Sequence, residues 1–191
     1  MALYHFSVTQ VKRSKGHTAI AAAAYRSGEK LYDKYYGEVQ DYTKKGGVVE
    51  SFILLPEHVP KRLADRETLW YEVESQENRK DAQLAYSFDI ALQNELTIEE
   101  NKEILLRFLN KNFVSRGMIC DVAIHDPPRA EGEERNLHAH FLCPMRPILE
   151  NGEWGAKREH IPVFDKDGNP VLDKKGRQKM DNPLHDGLGQ G

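Results

Sequence analysis

The sequence predicts an α+β protein: a central antiparallel β-sheet with helices packed on one face. Three observations carry this. Strand-like and helix-like segments follow one another in the order βα…βαβαββ. Within Gln83 to Leu92 the side chains alternate, with Leu84, Tyr86, Phe88, Ile90 and Leu92 on one face and Ala85, Ser87, Asp89 and Ala91 on the other, the period of a half-buried strand. Two further apolar segments, Met118 to His125 and Leu137 to Met145, flank the polar stretch DPPRAEGEERN and read as an antiparallel hairpin with a long connection. A sheet with one apolar face leaves its other face available for a site.

The elements follow in order. Residues 2–11 (ALYHFSVTQV) are rich in β-branched and aromatic types and read as a strand, and Lys12 to Gly16 as a basic turn. A helix is expected from His17 through Leu31, because alanine is the best helix former and Gly28 is its one weak point. Residues 32–47 are tyrosine-rich and polar, and no regular structure is assigned to them. Val48 to Leu55 is a short strand stopped by Pro56, and Arg62 to Lys80 is a helix with an intermittent apolar stripe. Thr97, Ile98, Glu99 and Glu100 fit a capping box. It opens a helix whose Ile104, Leu105, Phe108, Leu109 and Phe113 face a core, with Gly117 at its end. After Pro147 the composition changes to turn residues with few apolar anchors. The expected division is therefore a domain over 1–149, followed at 150–191 by a peripheral hairpin and a flexible tail.

Composition narrows the class. The 191 residues are 39% hydrophobic and 30% charged, with a mean hydropathy of −0.67. No apolar run approaches the ~18–20 residues of a membrane span, so no membrane insertion is expected. The start, Met-Ala-Leu-Tyr-His, lacks the basic and apolar blocks of a secretory signal. Cys120 and Cys143 lie inside apolar segments, which argues against a disulfide scaffold and for a reducing cytoplasm. The net charge is −3, yet Lys12, Arg13, Lys15, Arg26 and Lys30 meet only Glu29 within the first thirty residues. A basic start on an acidic body is compatible with a local nucleic-acid contact, though an ordinary solvated surface explains it as well.

Chemistry concentrates in three histidines. His138 and His140 share a strand face, opposite Leu137, Ala139, Phe141 and Cys143. On the preceding strand Cys120, Val122 and Ile124 form the apolar row, so His125 shares the polar face with Asp121 and Ala123. Three imidazoles converging on a sheet face make a divalent-metal site with room left for a substrate oxygen or water. A lone His-x-His is more often a surface pair than a ligand set; the third histidine brings the metal reading level with it. The cysteines fall on the opposite face, which disfavours structural zinc, and His5, His17, His58, His160 and His185 show no comparable convergence. Tyr25, in the small-residue helix, is a candidate nucleophile once a cation or base activates a phenol whose normal pKa is ~10. Tyr32, Tyr35 and Tyr36 compete for that role, and on position alone a tyrosine in a helix is more often packing.

These residues also carry a resemblance. Tyr4-His5-Phe6, Gly16-His17-Thr18-Ala19 and Ala24-Tyr25-Arg26-Ser27-Gly28 resemble the opening of plasmid relaxases of the MobA/MobL type. Asn136-Leu137-His138-Ala139-His140-Phe141, with His125 before it and Met145-Arg146-Pro147 after, is similar to that family's histidine motif, usually N-P-H-A-H. Ala91-Leu92-Gln93-Asn94-Glu95-Leu96 resembles its A-L-P-x-E-L element. The landmarks run in order over residues 2–147, and Leu137 and Gln93 stand where the family has proline. Both departures bear on loop stiffness rather than on ligand chemistry.

The resemblance implies the His-hydrophobe-His endonuclease fold, with 150–191 as the end of a truncated relaxase domain. It implies a bacterial cytoplasmic enzyme that nicks one DNA strand at a plasmid origin of transfer, single-stranded at the nick, alongside other mobilisation proteins. Tyr25 would be the nucleophile, leaving a 5′-phosphotyrosine and able to religate. His125, His138 and His140 would hold one divalent ion, Mn²⁺ or Mg²⁺. Asp89 stands where relatives commonly carry glutamate, and its polar-face position would let it orient a ligand histidine. Lys12, Arg13, Lys15 and Arg26 are the expected DNA contacts. Two rival readings use the same histidines: a phosphoesterase that forms no covalent intermediate, and a non-catalytic DNA-binding module stabilised by metal.

Overall fold

The structure, a computed structural model, describes residues 5–13, 18–157 and 161–181. Its elements are β1 (Phe6–Lys12), α1 (Ala19–Ser27), β2 (Lys30–Asp33), β3 (Glu38–Asp41), β4 (Val48–Leu54), α2 (Arg66–Ser75), β5 (Gln83–Ala91), α3 (Ile98–Asn112), β6 (Cys120–His125), β7 (His138–Pro144), β8 (Ile161–Pro162) and β9 (Met180–Asp181). The central sheet has five strands in the order β1-β5-β7-β6-β4, all antiparallel, which is the α+β architecture expected. The chain divides into two units, Met1–Gly155 and Ala156–Gly191. In the second, β8 pairs with β9, and single bridges join Phe164 to Pro170 and Leu172 to Gln178. The end of the expected hairpin and flexible tail of 150–191, residues 182–191, lies outside the described residues.

The alternation read from the sequence sorts the sheet into two faces. Phe88, Val122, Ile124, Ala139, Phe141 and Cys143 enter one core cluster with Leu105 and Leu109 of α3. Phe88 stacks on Phe141 with ring centroids 4.5 Å apart, and Phe113 meets both edge-on at 5.2 and 5.1 Å, the geometries aromatic quadrupoles favour. The opposite face also carries helix. Trp70 of α2 donates to Asp121 of β6 at 2.7 Å, and Arg26 of α1 to Ser87 of β5 at 2.8 Å. α1 and α2 pack together in a second cluster around Ile20, Leu69 and Trp70. These helices cover part of the polar face and leave the histidine end, where β6 finishes and β7 begins, beside α1.

Several elements are shorter than the sequence suggests, for local reasons. α1 stops at Ser27 because Gly28 takes a left-handed conformation (φ 69°) and returns its N–H to Ala24. The chain then forms the hairpin β2–β3, whose first strand begins at Lys30, inside the expected helix, and whose remainder falls in the stretch read as irregular. The helix expected over 62–80 is a 3₁₀ turn at Lys61–Ala64 followed by α2, which starts where the Asp65 side chain caps the N–H of Thr68. The capping box at Thr97 and Glu100 is present. α3 ends at Asn112, and Gly117 instead closes the 3₁₀ turn Val114–Arg116.

Candidate active site

Strand register builds the site. β6 and β7 pair with His125 opposite His138 and Ala123 opposite His140. β7 pairs with β5 so that Asp89 lies opposite His140. Their neighbours fill the core beneath α3, so all four polar side chains project from the other face. The three histidines each bring one ring nitrogen within 4.8 Å of the others. Ring centroids are 5.3 Å apart for His125–His138, 4.9 Å for His125–His140 and 4.7 Å for His138–His140.

Each ring is also held from behind by an acceptor. His140 Nδ1 donates to Asp89 Oδ1, whose other oxygen accepts from the Ser7 hydroxyl at 3.2 Å. His138 Nδ1 donates to the carbonyl of Asn136 at 2.7 Å, and His125 Nε2 to the carbonyl of Arg26 at 2.6 Å. An acceptor behind one nitrogen puts the proton there and leaves a lone pair on the other. Nε2 of His138, Nε2 of His140 and Nδ1 of His125 are then the uncommitted donors. Burial lowers the pKa of His125 to about 4, and burial likewise lowers that of His140 against the pull of Asp89. Three imidazoles, oriented and mutually close, are a donor set that fits a divalent ion with coordination positions to spare.

The bond from His125 to Arg26 ties α1 to this cluster. Tyr25 comes one residue earlier and is 51% exposed. Its ring meets Tyr42 edge-on at 5.3 Å, and Lys45 Nζ sits 3.7 Å from its centroid. Arg26 donates to the Ala22 carbonyl at 3.0 Å as well as to Ser87, while its buried Nε has no partner. Tyr25, Arg26, Tyr42, Ser87 and Lys12 line a common cleft.

The other expected residues fall differently. Lys12 is exposed, and Lys15 lies outside the described residues. Arg13 is buried and committed: it pairs with Glu74 at 2.6 Å, donates to the carbonyls of Glu77 and Arg79, and stacks on Tyr35 at 4.4 Å. It is therefore not available to a DNA phosphate, a correction that charge counting could not supply. Glu74 also accepts from the first N–H of α1, at Ala19, so Arg13 serves the placement of that helix. Tyr32, Tyr35 and Tyr36 are exposed on or beside the β2–β3 hairpin. His58 bonds the Ile148 carbonyl. Cys120 and Cys143 are free thiols 3.7 Å apart on the buried face. Lys45 and Tyr42 were not legible as site residues, because they lie in a stretch without periodicity and gain meaning only through the tertiary fold.

The chain is similar to known proteins. A conjugal transfer protein TraA of Agrobacterium fabrum is 36% identical over 187 residues, covering 93% of this chain and 16% of its own. A mobilization protein MobL of Acidithiobacillus ferridurans is 37% identical over 159 residues, covering 82% of this chain and 41% of its own. This chain thus spans less than half the length of either relative. A solved structure described as "Molecular Basis of Vancomycin Resistance Transfer in Staphylococcus aureus" superposes with a TM-score of 0.75 at 36% identity, over 83% of this chain and 78% of that one. The model of the MobA/MobL family matches residues 17–186, most of the sequence, and the chain belongs to that family.

Proposed function

We propose that this chain is the nicking domain of a relaxase, which cleaves one strand at a plasmid origin of transfer in the bacterial cytoplasm. The observation that carries the reading is the hydrogen bond from His125 to the Arg26 carbonyl. It fastens the helix bearing Tyr25 to a cluster of three oriented imidazoles. A divalent ion, Mn²⁺ or Mg²⁺, held by His125, His138 and His140 would polarise the scissile phosphate and offset charge on its oxygens.

The chain's own residues do the rest. Asp89 keeps the His140 ring turned toward the cluster, and the Asn136 and Arg26 carbonyls do the same for His138 and His125. Tyr25 supplies the nucleophilic oxygen. Its bond to phosphorus forms as the bond to the 3′-oxygen breaks; the phenol proton leaves and the 3′-oxygen gains one. The product is a 5′-phosphotyrosine and a free 3′-hydroxyl, with one phosphodiester exchanged for another, so the reverse reaction religates without ATP. Lys12 and Arg26 contribute salt-sensitive attraction for the backbone of a single strand, and the tyrosines of the β2–β3 hairpin offer faces for base stacking. Other mobilisation proteins would act beside it.

The test is a covalent adduct. Wild-type protein is incubated with Mn²⁺ and overlapping single-stranded oligonucleotides that tile the DNA flanking its coding sequence, then run on a denaturing gel. A band that resists denaturant and maps to Tyr25 by peptide analysis is expected. Cleavage without any adduct would favour the phosphoesterase, and binding without cleavage the metal-stabilised DNA-binding module.

A further inference from the structure

We propose that Lys45 is a positioning residue for Tyr25, holding the phenol ring and offsetting the negative charge that develops on its oxygen. This rests on Tyr25 being the nucleophile. Three contacts support it. Lys45 Nζ lies 3.7 Å from the Tyr25 ring centroid, well inside the ~6 Å over which a cation and a ring face attract. The same nitrogen donates to the Tyr25 backbone carbonyl at 2.8 Å, so one side chain grips both ends of the residue. Tyr42 closes the ring's flank edge-on at 5.3 Å.

The loop that carries Lys45 is itself fixed at both ends. At one end, Tyr42 N–H donates to the Glu29 carbonyl at 3.1 Å and Lys45 N–H to the Tyr42 carbonyl at 2.9 Å. At the other, the Gly47 carbonyl accepts from Asp126, the residue after His125, at 2.8 Å. Gly47 has φ +85°, and a Cβ there would come within 2.8 Å of the Pro127 backbone, so no other residue fits that anchor without displacement. Lys45 therefore bridges the Tyr25 helix and the end of the histidine strand by way of a pinned loop.

The physical consequence is specific. Tyr25 is half-exposed, and an unrestrained ring would sample rotamers that do not point at the phosphate. A cation over the ring restricts that sampling to the rotamer it contacts, and its attraction grows as the phenol becomes phenolate. The same effect favours phenolate departure when the 3′-hydroxyl religates the strand. Lys45 transfers no proton and forms no bond to DNA.

The experiment compares Lys45→Met and Lys45→Arg with wild-type protein, using the tiling oligonucleotide that gives the adduct. Single-turnover adduct formation is measured at saturating DNA, with DNA affinity measured separately. Lys45→Met should slow adduct formation about tenfold, the kinetic equivalent of one partly desolvated cation–π contact, with affinity changed less than about threefold. Lys45→Arg, which keeps a cation able to lie over a ring, should recover most of the rate. A wild-type rate in Lys45→Met, or a loss confined to DNA affinity, overturns the inference while leaving Tyr25 as nucleophile. Failure of Lys45→Arg to recover any rate also overturns it, since charge over the ring would not be what matters. A wild-type adduct mapping to another tyrosine, or no wild-type adduct, overturns both readings together.

Discussion

On the histidine face of the sheet, β6 begins with Asp121 and ends with His125, and the two ends treat their polar groups in opposite ways. Asp121 is closed off. Arg66 Nε donates to it at 2.9 Å, Trp70 Nε1 at 2.7 Å, and Arg66 also reaches Glu29 beyond the end of α1. Both Asp121 and Arg66 are buried. The network holds α2 and the exit of α1 against the sheet and offers nothing to a ligand. At the other end, each histidine spends one ring nitrogen on an acceptor and keeps the second uncommitted, and one nitrogen of each ring lies within 4.8 Å of the others. A buried network of paired charges specifies a fold, whereas oriented ligand atoms left open specify a site.

Changes at the closed end should therefore cost stability, and changes at the open end should cost function. The largest expected effect on stability is at Asp121. Asp121→Ala leaves a buried guanidinium and an indole N–H short of an acceptor, which should lower unfolding free energy by about 3 kcal/mol. Urea unfolding measures it, and a loss below about 1 kcal/mol would mean that the closed end is not a structural clamp.

Next comes a pH effect at the open end. Buried His125 has its pKa lowered to about 4, below its unfolded value of 6.5, and His140 is lowered too. Between those values the unfolded chain binds more protons than the folded one, so stability rises with pH through that window. The metal-free protein should be at full strength above about pH 6.5 and weaken progressively toward about pH 4. Denaturant unfolding at several pH values measures this, and His125→Asn should flatten the slope. An equal slope in wild type and variant would assign the acid sensitivity elsewhere.

A smaller effect on the fold is expected at Asp89. Asp89→Asn keeps the shape and removes the charge behind His140. Metal affinity, followed by calorimetric titration, should fall about 10–100-fold, while metal-free stability should shift by no more than about 1 kcal/mol. A large loss of stability with unchanged metal affinity would move Asp89 to the structural side of the comparison.

What the sequence makes legible follows the range of the interactions. The histidine face, the placement of Asp89 and the α3 core all rest on period-two or helical spacing inside one element, or on two strands joined by one loop. A charge in a basic turn looks the same in the sequence whether it faces solvent or, like Arg13, is locked onto Glu74, sixty-one residues away. The β2–β3 hairpin is not legible because each of its four-residue strands carries a single aliphatic side chain, Leu31 and Val39, too few to show an alternation. The limit met at Arg13 hides Lys45, whose partner lies twenty residues earlier on a different element. For Arg13 and Lys45 the deciding contact is tertiary, and no local pattern encodes it.

The smallest expected effect on the fold belongs to Tyr25, where the comparison is sharpest. Its ring is half-exposed, and its contacts to Tyr42 and Lys45 use the ring and the backbone carbonyl. Tyr25→Phe removes only the hydroxyl, so unfolding free energy should stay within about 0.5 kcal/mol of wild type. Metal affinity should be unchanged, because the three histidines and their acceptors are untouched. Single-stranded DNA binding should persist for the same reason. Nicking and the covalent adduct should both vanish, since no oxygen remains to attack phosphorus. A packing tyrosine would give the reverse pattern, with some loss of stability and undiminished nicking. An adduct that persists in Tyr25→Phe and maps to Tyr32, Tyr35 or Tyr36 would move the nucleophile to the β2–β3 hairpin region and keep the reaction class.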